Sequence, residues 1–202
     1  MRALSCIGGL VVASLACFPS SFAAASEGAP PMQDAEEGST HDAMSISFAG
    51  GMMIPREALA ETRSAGLLAG MTFGLSAMSG LGVALSAEYA PLPPASASLG
   101  SGSRESHVGA LTLAPRFTLG RRAIRPWLEA GAGLLVDYES IEHTDAEAER
   151  RVSYEPMAAG AIGFDLHAFD SGGLALAGRY ARSFADPHHE LITATGGLFF
   201  QF

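Results

Sequence analysis

The chain offers few residues able to act as a nucleophile, a general base or a metal ligand, and their spacing limits what each could do. His188, His189 and Glu190 are consecutive, and His143 stands two residues before Asp145; imidazole and carboxylate are usual ligands for zinc. Adjacent side chains of an extended segment point to opposite faces, so His188 and His189 cannot hold one ion together. No metal or other cofactor is expected. Ser183 is the nearest candidate nucleophile, with His188 and Glu190 as base and orienting acid of an acyl-transfer site. Arg182 stands where an activating histidine would be wanted, and the other two would have to fold back, so no catalytic residue is assigned. The acidic stretch 139–151 reads as an exposed polar loop whose carboxylates could at most bind calcium weakly. There remain four charges set among small and apolar neighbours: Glu88, Arg116, Glu129 and Arg179.

Something must position these groups, and the amino end is not it. Met1-Arg2, an apolar run over 4–18 and Phe22-Ala23-Ala24-Ala25 have the parts of a signal peptide, expected over 1–25 with cleavage near Ala25. Cys6 and Cys17 lie inside it, so the exported chain keeps no thiol for a disulfide, a soft metal or catalysis. Lipid attachment at Cys17 is disfavoured by Ser14, three positions upstream where an aliphatic residue is needed. Residues 26–44 are acidic, carry Pro30 and Pro31, show no apolar period and read as a disordered periplasmic leader.

From residue 45 onward the pattern has a period of two. Leu111, Leu113, Pro115, Phe117 and Leu119 share one parity, and Ala110, Thr112, Ala114, Arg116 and Thr118 the other. The split recurs in Leu81, Val83, Leu85, Ala87 and Tyr89 against Gly82, Ala84, Ser86 and Glu88, and along 128–138. Eight such segments are predicted as strands, about 45–54, 66–75, 81–90, 107–119, 126–138, 153–166, 174–184 and 190–202. An even number of short alternating segments after a signal peptide predicts an all-β fold: an eight-stranded antiparallel up-and-down transmembrane β-barrel over 45–202, apolar side chains toward lipid and small or polar ones toward the lumen. A sheet in hydrocarbon must close to satisfy its backbone. The connections alternate as such a barrel requires, short at 76–80, 120–125 and 167–173, longer at 55–65, 91–106 and 139–152, with 185–189 brief among the latter.

The strand assignment sorts the aromatic residues. Tyr89, Tyr138, Tyr154 and Tyr180 fall near the outer ends of strands; Phe117, Trp127 and Phe164 fall near the inner ends, as two interfacial girdles would. It also turns Glu88, Arg116, Glu129 and Arg179 inward, with Arg116 and Glu129 opposite each other across a short turn at Arg121-Arg122. Lone buried charges are costly, so these are read as a mutually neutralising network; the alternative is a gated ion path. Eight strands enclose a space that side chains just fill. A net charge of −9, with arginine the only strongly basic residue type, excludes a phosphate-neutralising surface and hence nucleic acid. A competing reading takes the uncharged run 64–87, with Gly66, Gly70 and Gly74 at pairing distance, as a spanning helix. The glycines, the serines and the break at Met78-Ser79-Gly80 weigh against it.

The chain's last residues, Gly196-Gly197-Leu198-Phe199-Phe200-Gln201-Phe202, place Leu198 and Phe200 in phase with a terminal Phe202. This resembles the signal by which outer-membrane barrels are recognised by their assembly machinery. The stretch Pro126-Trp127-Leu128-Glu129-Ala130-Gly131-Ala132-Gly133 resembles a strand common in the small OmpA-like and OmpX-like barrels. The resemblance covers about 45–202 and implies residence in the outer membrane of a Gram-negative bacterium, contact with its lipid and lipopolysaccharide, and a monomer. An interior ion network and a structural or surface-interaction role are likewise what it implies. A narrow ion-conducting pore and a lipid A-modifying enzyme are the alternatives, and the soluble wall-binding domain of full-length OmpA-type proteins has no counterpart here.

Overall fold

The computed structural model describes residues 43–77, 80–95, 103–119, 123–143 and 146–202. They form a closed barrel of β1 (Ala43–Glu57), β2 (Gly66–Ser76), β3 (Leu81–Pro91), β4 (Ser103–Thr118), β5 (Ile124–His143), β6 (Ala146–Phe169), β7 (Gly172–Ser183) and β8 (His189–Gln201). Each strand pairs antiparallel with the next, and β8 closes the wall on β1, from Ser45 opposite Gln201 to Glu57 opposite His189. The expected signal segment, the leader up to residue 42 and the turn residues Arg121 and Arg122 lie outside the described residues.

Alternation decides which side of the wall each residue occupies. Along β3, Leu81, Val83, Leu85 and Tyr89 are exposed on the outer surface while Ala84, Ser86 and Ala90 are buried inside. The same exposed belt continues through Met71 and Leu75, Leu111 and Leu113, Leu174 and Leu176, and Leu198. So large a continuous apolar surface is foreign to a soluble monomer and is matched to hydrocarbon. The run 64–87 is not a helix: it forms β2, its turn and the start of β3, with Gly70, Thr72 and Gly74 sharing the inward side.

The two rims differ. Ala43, Phe202 and the tight connections lie at one, the turn end. Gly80 turns β2 into β3 with φ 77°, a left-handed conformation open to glycine and costly for other residues; a Cβ there would also stand 2.6 Å from the Thr118 carbonyl oxygen. At the other rim, the loop end, the sequence expectation needs two corrections. Within the expected loop 55–65, β1 runs on to Glu57 and a short helix α1 (Ala58–Thr62) follows. The described residues of the expected loop 139–152, 139–143 and 146–152, are strand, because β5 and β6 continue paired up to His143 opposite Ala146, with one irregularity between Ile141 and His143. β4 joins it, Ser103 opposite Glu142. Polar composition there marks solvent on both faces rather than loss of strand, since main-chain pairing is indifferent to side-chain polarity. β7 ends opposite Met157, so the three-stranded sheet stands well past the rim on that side.

Inward-facing residues form two layers. Toward the loop end Met53, Leu68, Ala90, Val108, Ala110, Leu135, Met157 and Leu191 pack as one apolar cluster. Leu59 of α1 and Leu92, just past β3, fold into the same cluster with 3% and 1% of their surface exposed. Toward the turn end the interior is polar.

Candidate functional site

The polar layer is assembled from five strands, β3 to β7. Arg116 of β4 and Glu129 of β5 are cross-strand partners, and the Arg116 Nε donates to Glu129 Oε1 at 2.6 Å. Arg179 of β7 reaches across the lumen: its Nη2 donates to Ser86 Oγ at 2.9 Å and to Glu129 Oε2 at 3.4 Å, and its Nη1 stands 3.4 Å from Glu88 Oε1. The four residues singled out in the sequence therefore lie within one set of contacts. Sequence reading missed a fifth member, Asp165 of β6, whose Oδ2 is 3.9 Å from Arg116 Nη1. Its odd position in an alternating strand was the available signal. Thr72 and Ser86 hydroxyls share a hydrogen bond of 3.0 Å beside the network.

Trp127 does not belong to a girdle. It follows the inward parity of Glu129, has 5% of its surface exposed, and its indole Nε1 donates to Asp165 Oδ1 at 3.0 Å. The Arg116 guanidinium carbon lies 4.2 Å from the ring centroid, a cation–π distance. The ring lies over Gly163, its cross-strand partner, where a Cβ would collide with the indole. An aromatic residue near a strand end satisfies a girdle pattern on either face; parity decides which.

Above the apolar layer, at the loop end, two further pairs cross the interior. Arg63 Nη1 and Nη2 donate to Asp137 Oδ1 and Oδ2 at 2.6 and 2.8 Å, a buried bidentate pair. His189 Nδ1 stands 2.9 Å from Glu155 Oε2, both largely buried. Ser183 is buried inside the barrel and its Oγ accepts the His189 backbone N–H at 2.8 Å. The serine therefore faces away from lipid, and the acyl-transfer arrangement with His188 and Glu190 does not form. Asp145 lies outside the described residues, and among those described no group of three or more His, Cys, Asp or Glu is placed to hold a metal.

No protein-family model matches the sequence, and no curated protein matches it. Solved structures do. Neisserial surface protein A superposes with a TM-score of 0.59 at 11% identity, over 80% of this chain and all of that one. Ail, the attachment invasion locus protein of Yersinia pestis, gives 0.57 at 16% identity over 80% and 99%; the outer membrane protein OprG from Pseudomonas aeruginosa gives 0.54 at 14% over 81% and 97%. This is the fold of the small outer-membrane barrels.

On this barrel, Tyr89, Tyr154 and Tyr180 are exposed on the outward face toward the loop end, and Phe117 and Phe164 on that face toward the turn end. Tyr138 is half-buried because His107 leans on it, ring centroids 5.7 Å apart, while the Tyr89 hydroxyl bonds His107 Nδ1 at 2.7 Å. A register row joins Tyr89, Gly109, Val136 and Tyr154 across four strands. At the carboxyl end Leu198 and Phe202 are exposed and Phe200 half-buried, while Phe199 turns inward against His167 with ring centroids 4.8 Å apart.

Proposed function

We propose that the chain is an outer-membrane protein of the Gram-negative envelope with a side-chain-filled lumen and a surface-interaction role, its loop end outside the cell. The observation that carries this reading is the pair of opposite layers inside the barrel. Two connections, through Leu59 and Leu92, press apolar side chains into the loop-end half, and the turn-end half holds charges that neutralise one another. Such an interior spends its side chains on closing the lumen, which leaves the projecting β4–β6 sheet as the part able to meet other molecules. Lipid and lipopolysaccharide surround the wall, the barrel acts as a monomer, and Leu198, Phe200 and Phe202 present the barrel to the assembly machinery.

Two measurements test it. Purified protein in a planar bilayer is expected to give no discrete conductance steps; steps of constant size would replace a filled lumen by a narrow pore. Trypsin added to intact cells is expected to cut after Arg150 or Arg151 in the projecting hairpin and to leave the wall intact. Protection of that hairpin on whole cells, with cutting only after lysis, would overturn the orientation.

A further inference from the structure

The ladder between β2 and β3 ends at Ala69 opposite Tyr89, while β2 runs on to Gly66 beside β1 and β3 runs on to Pro91 beside β4. Pro91 has no N–H to offer across this seam. Gly66 lets the two chains pass close together, since a Cβ there would collide with the Pro91 carbonyl. Past Pro91 the chain turns in: Leu92 enters the apolar layer, and the Pro93 carbonyl accepts the Ser64 N–H at 2.7 Å.

This detour leaves a cavity of about 520 Å³ at the foot of the projecting sheet, a size suited to a small organic ligand. Leu67, Pro91 and Pro94 give it apolar walls, and Glu105, Ser106 and His107 of β4 close one side; the lining holds no arginine. Glu105 is exposed, and among the described residues no cation pairs with it. The His107 ring is held through Nδ1, 2.7 Å from the Tyr89 hydroxyl, with the two rings stacked at 5.8 Å, which leaves Nε2 for a guest. Ser106 is 5% exposed, and its hydroxyl has no hydrogen-bond partner among the described residues.

We propose that this cavity binds a small organic cation from the surrounding water, a primary ammonium group carried on an apolar body. The ammonium donates to the Glu105 carboxylate and to His107 Nε2, and the body lies against Leu67 and the prolines. With Nε2 accepting, Nδ1 carries the ring proton and donates to the Tyr89 hydroxyl, a tautomer that the 2.7 Å contact permits. The guest comes from water because Leu67 lies two residues beyond the Ala69–Tyr89 pair, about 7 Å past the tyrosine row. The proposal rests on the loop end being outside. Charge sets the selectivity: an anion of the same shape brings a second negative charge beside Glu105, and a neutral guest covers that carboxylate without pairing it.

The test uses the full chain in lipid nanodiscs, empty nanodiscs as the blank and phenethylammonium as the probe, read by ligand-observed NMR and calorimetry. Saturable binding above the blank is expected, with hydrocinnamate, the carboxylate counterpart, bound about tenfold more weakly or less. No saturable binding, or equal binding of the two, would refute the site. Glu105→Gln is expected to weaken the ammonium probe about tenfold and to narrow its advantage over the carboxylate. Leu67→Arg sets a guanidinium in the cavity and is expected to abolish binding. Both side chains are exposed, so both variants should still migrate as closed barrels. Unchanged affinity in either one would overturn the proposal. If binding holds in nanodiscs while the hairpin is protected from trypsin on intact cells, the cavity stands and the orientation fails.

Discussion

Arg63 and Asp137, 74 residues apart, are joined by two hydrogen bonds of 2.6 and 2.8 Å across the mouth of the barrel. The pair fixes the segment after α1 to β5. The same segment is tied to the stretch after β3, Ser64 N–H to the Pro93 carbonyl and Ala95 N–H to that of Thr62, so two connections form one cap over the apolar layer.

Removing one partner leaves the other charge buried and unpaired. Arg63→Ala or Asp137→Asn is expected to cost about 3–5 kcal/mol, whereas replacing both by leucine costs much less, because no lone charge remains. Hydrogen exchange of residues 58–65 reads the loosening of the cap. Equal loss in the single and double variants would show that the ions do not act as a pair.

Among the described residues, Arg179 is the one group that reaches Ser86, Glu88 and Glu129 together. Arg179→Met should destabilise the barrel by about 3–5 kcal/mol in urea unfolding from lipid, and adding Glu88→Gln, which neutralises the carboxylate left without its arginine, should restore part of that loss. Strict additivity of the two would mean they do not interact.

Trp127 is the chain's single tryptophan, which makes it a clean probe. Held over Gly163 inside the wall, it should be poorly quenched both by iodide and by lipids brominated along their chains. Strong quenching by the brominated lipids would put it on the outer face. Gly163→Ala drives a methyl group into the indole and the Leu176 carbonyl and is expected to cost about 1–3 kcal/mol.

Deleting Phe202 removes its two backbone bonds with Met44 of β1, at 2.9 and 3.3 Å, and leaves the ladder between β8 and β1 intact from Ser45 opposite Gln201 onward. The purified truncated chain should refold in detergent and shift on gels upon boiling, while its amount in the outer membrane of cells falls. Unchanged amounts would take the recognition role from this residue.

Much of the wall could be read from residue order alone. A period of two is imposed by backbone geometry, so the parity of Leu111 to Leu119, the inward turn of Glu88, Arg116, Glu129 and Arg179, and the pairing of Arg116 with Glu129 follow from local spacing and one short turn. The limits of β5 and β6 did not follow, because apolar burial writes the alternation and the projecting hairpin buries little besides Ser140. Trp127 was placed on the wrong face because a girdle pattern counts position along the strand and ignores parity.

What the chain's order determined by itself is the alternating wall, since each side chain's face depends only on its immediate neighbours and the solvent on either side. What only the folded barrel decided is which inward groups meet. Arg63 with Asp137, Arg179 with Glu88, and Leu59 with Leu92 come together through closure of the sheet and the inward fold of two connections. Those distances depend on strand tilt and on the path of the chain outside the strands, neither of which leaves a periodic mark in the sequence.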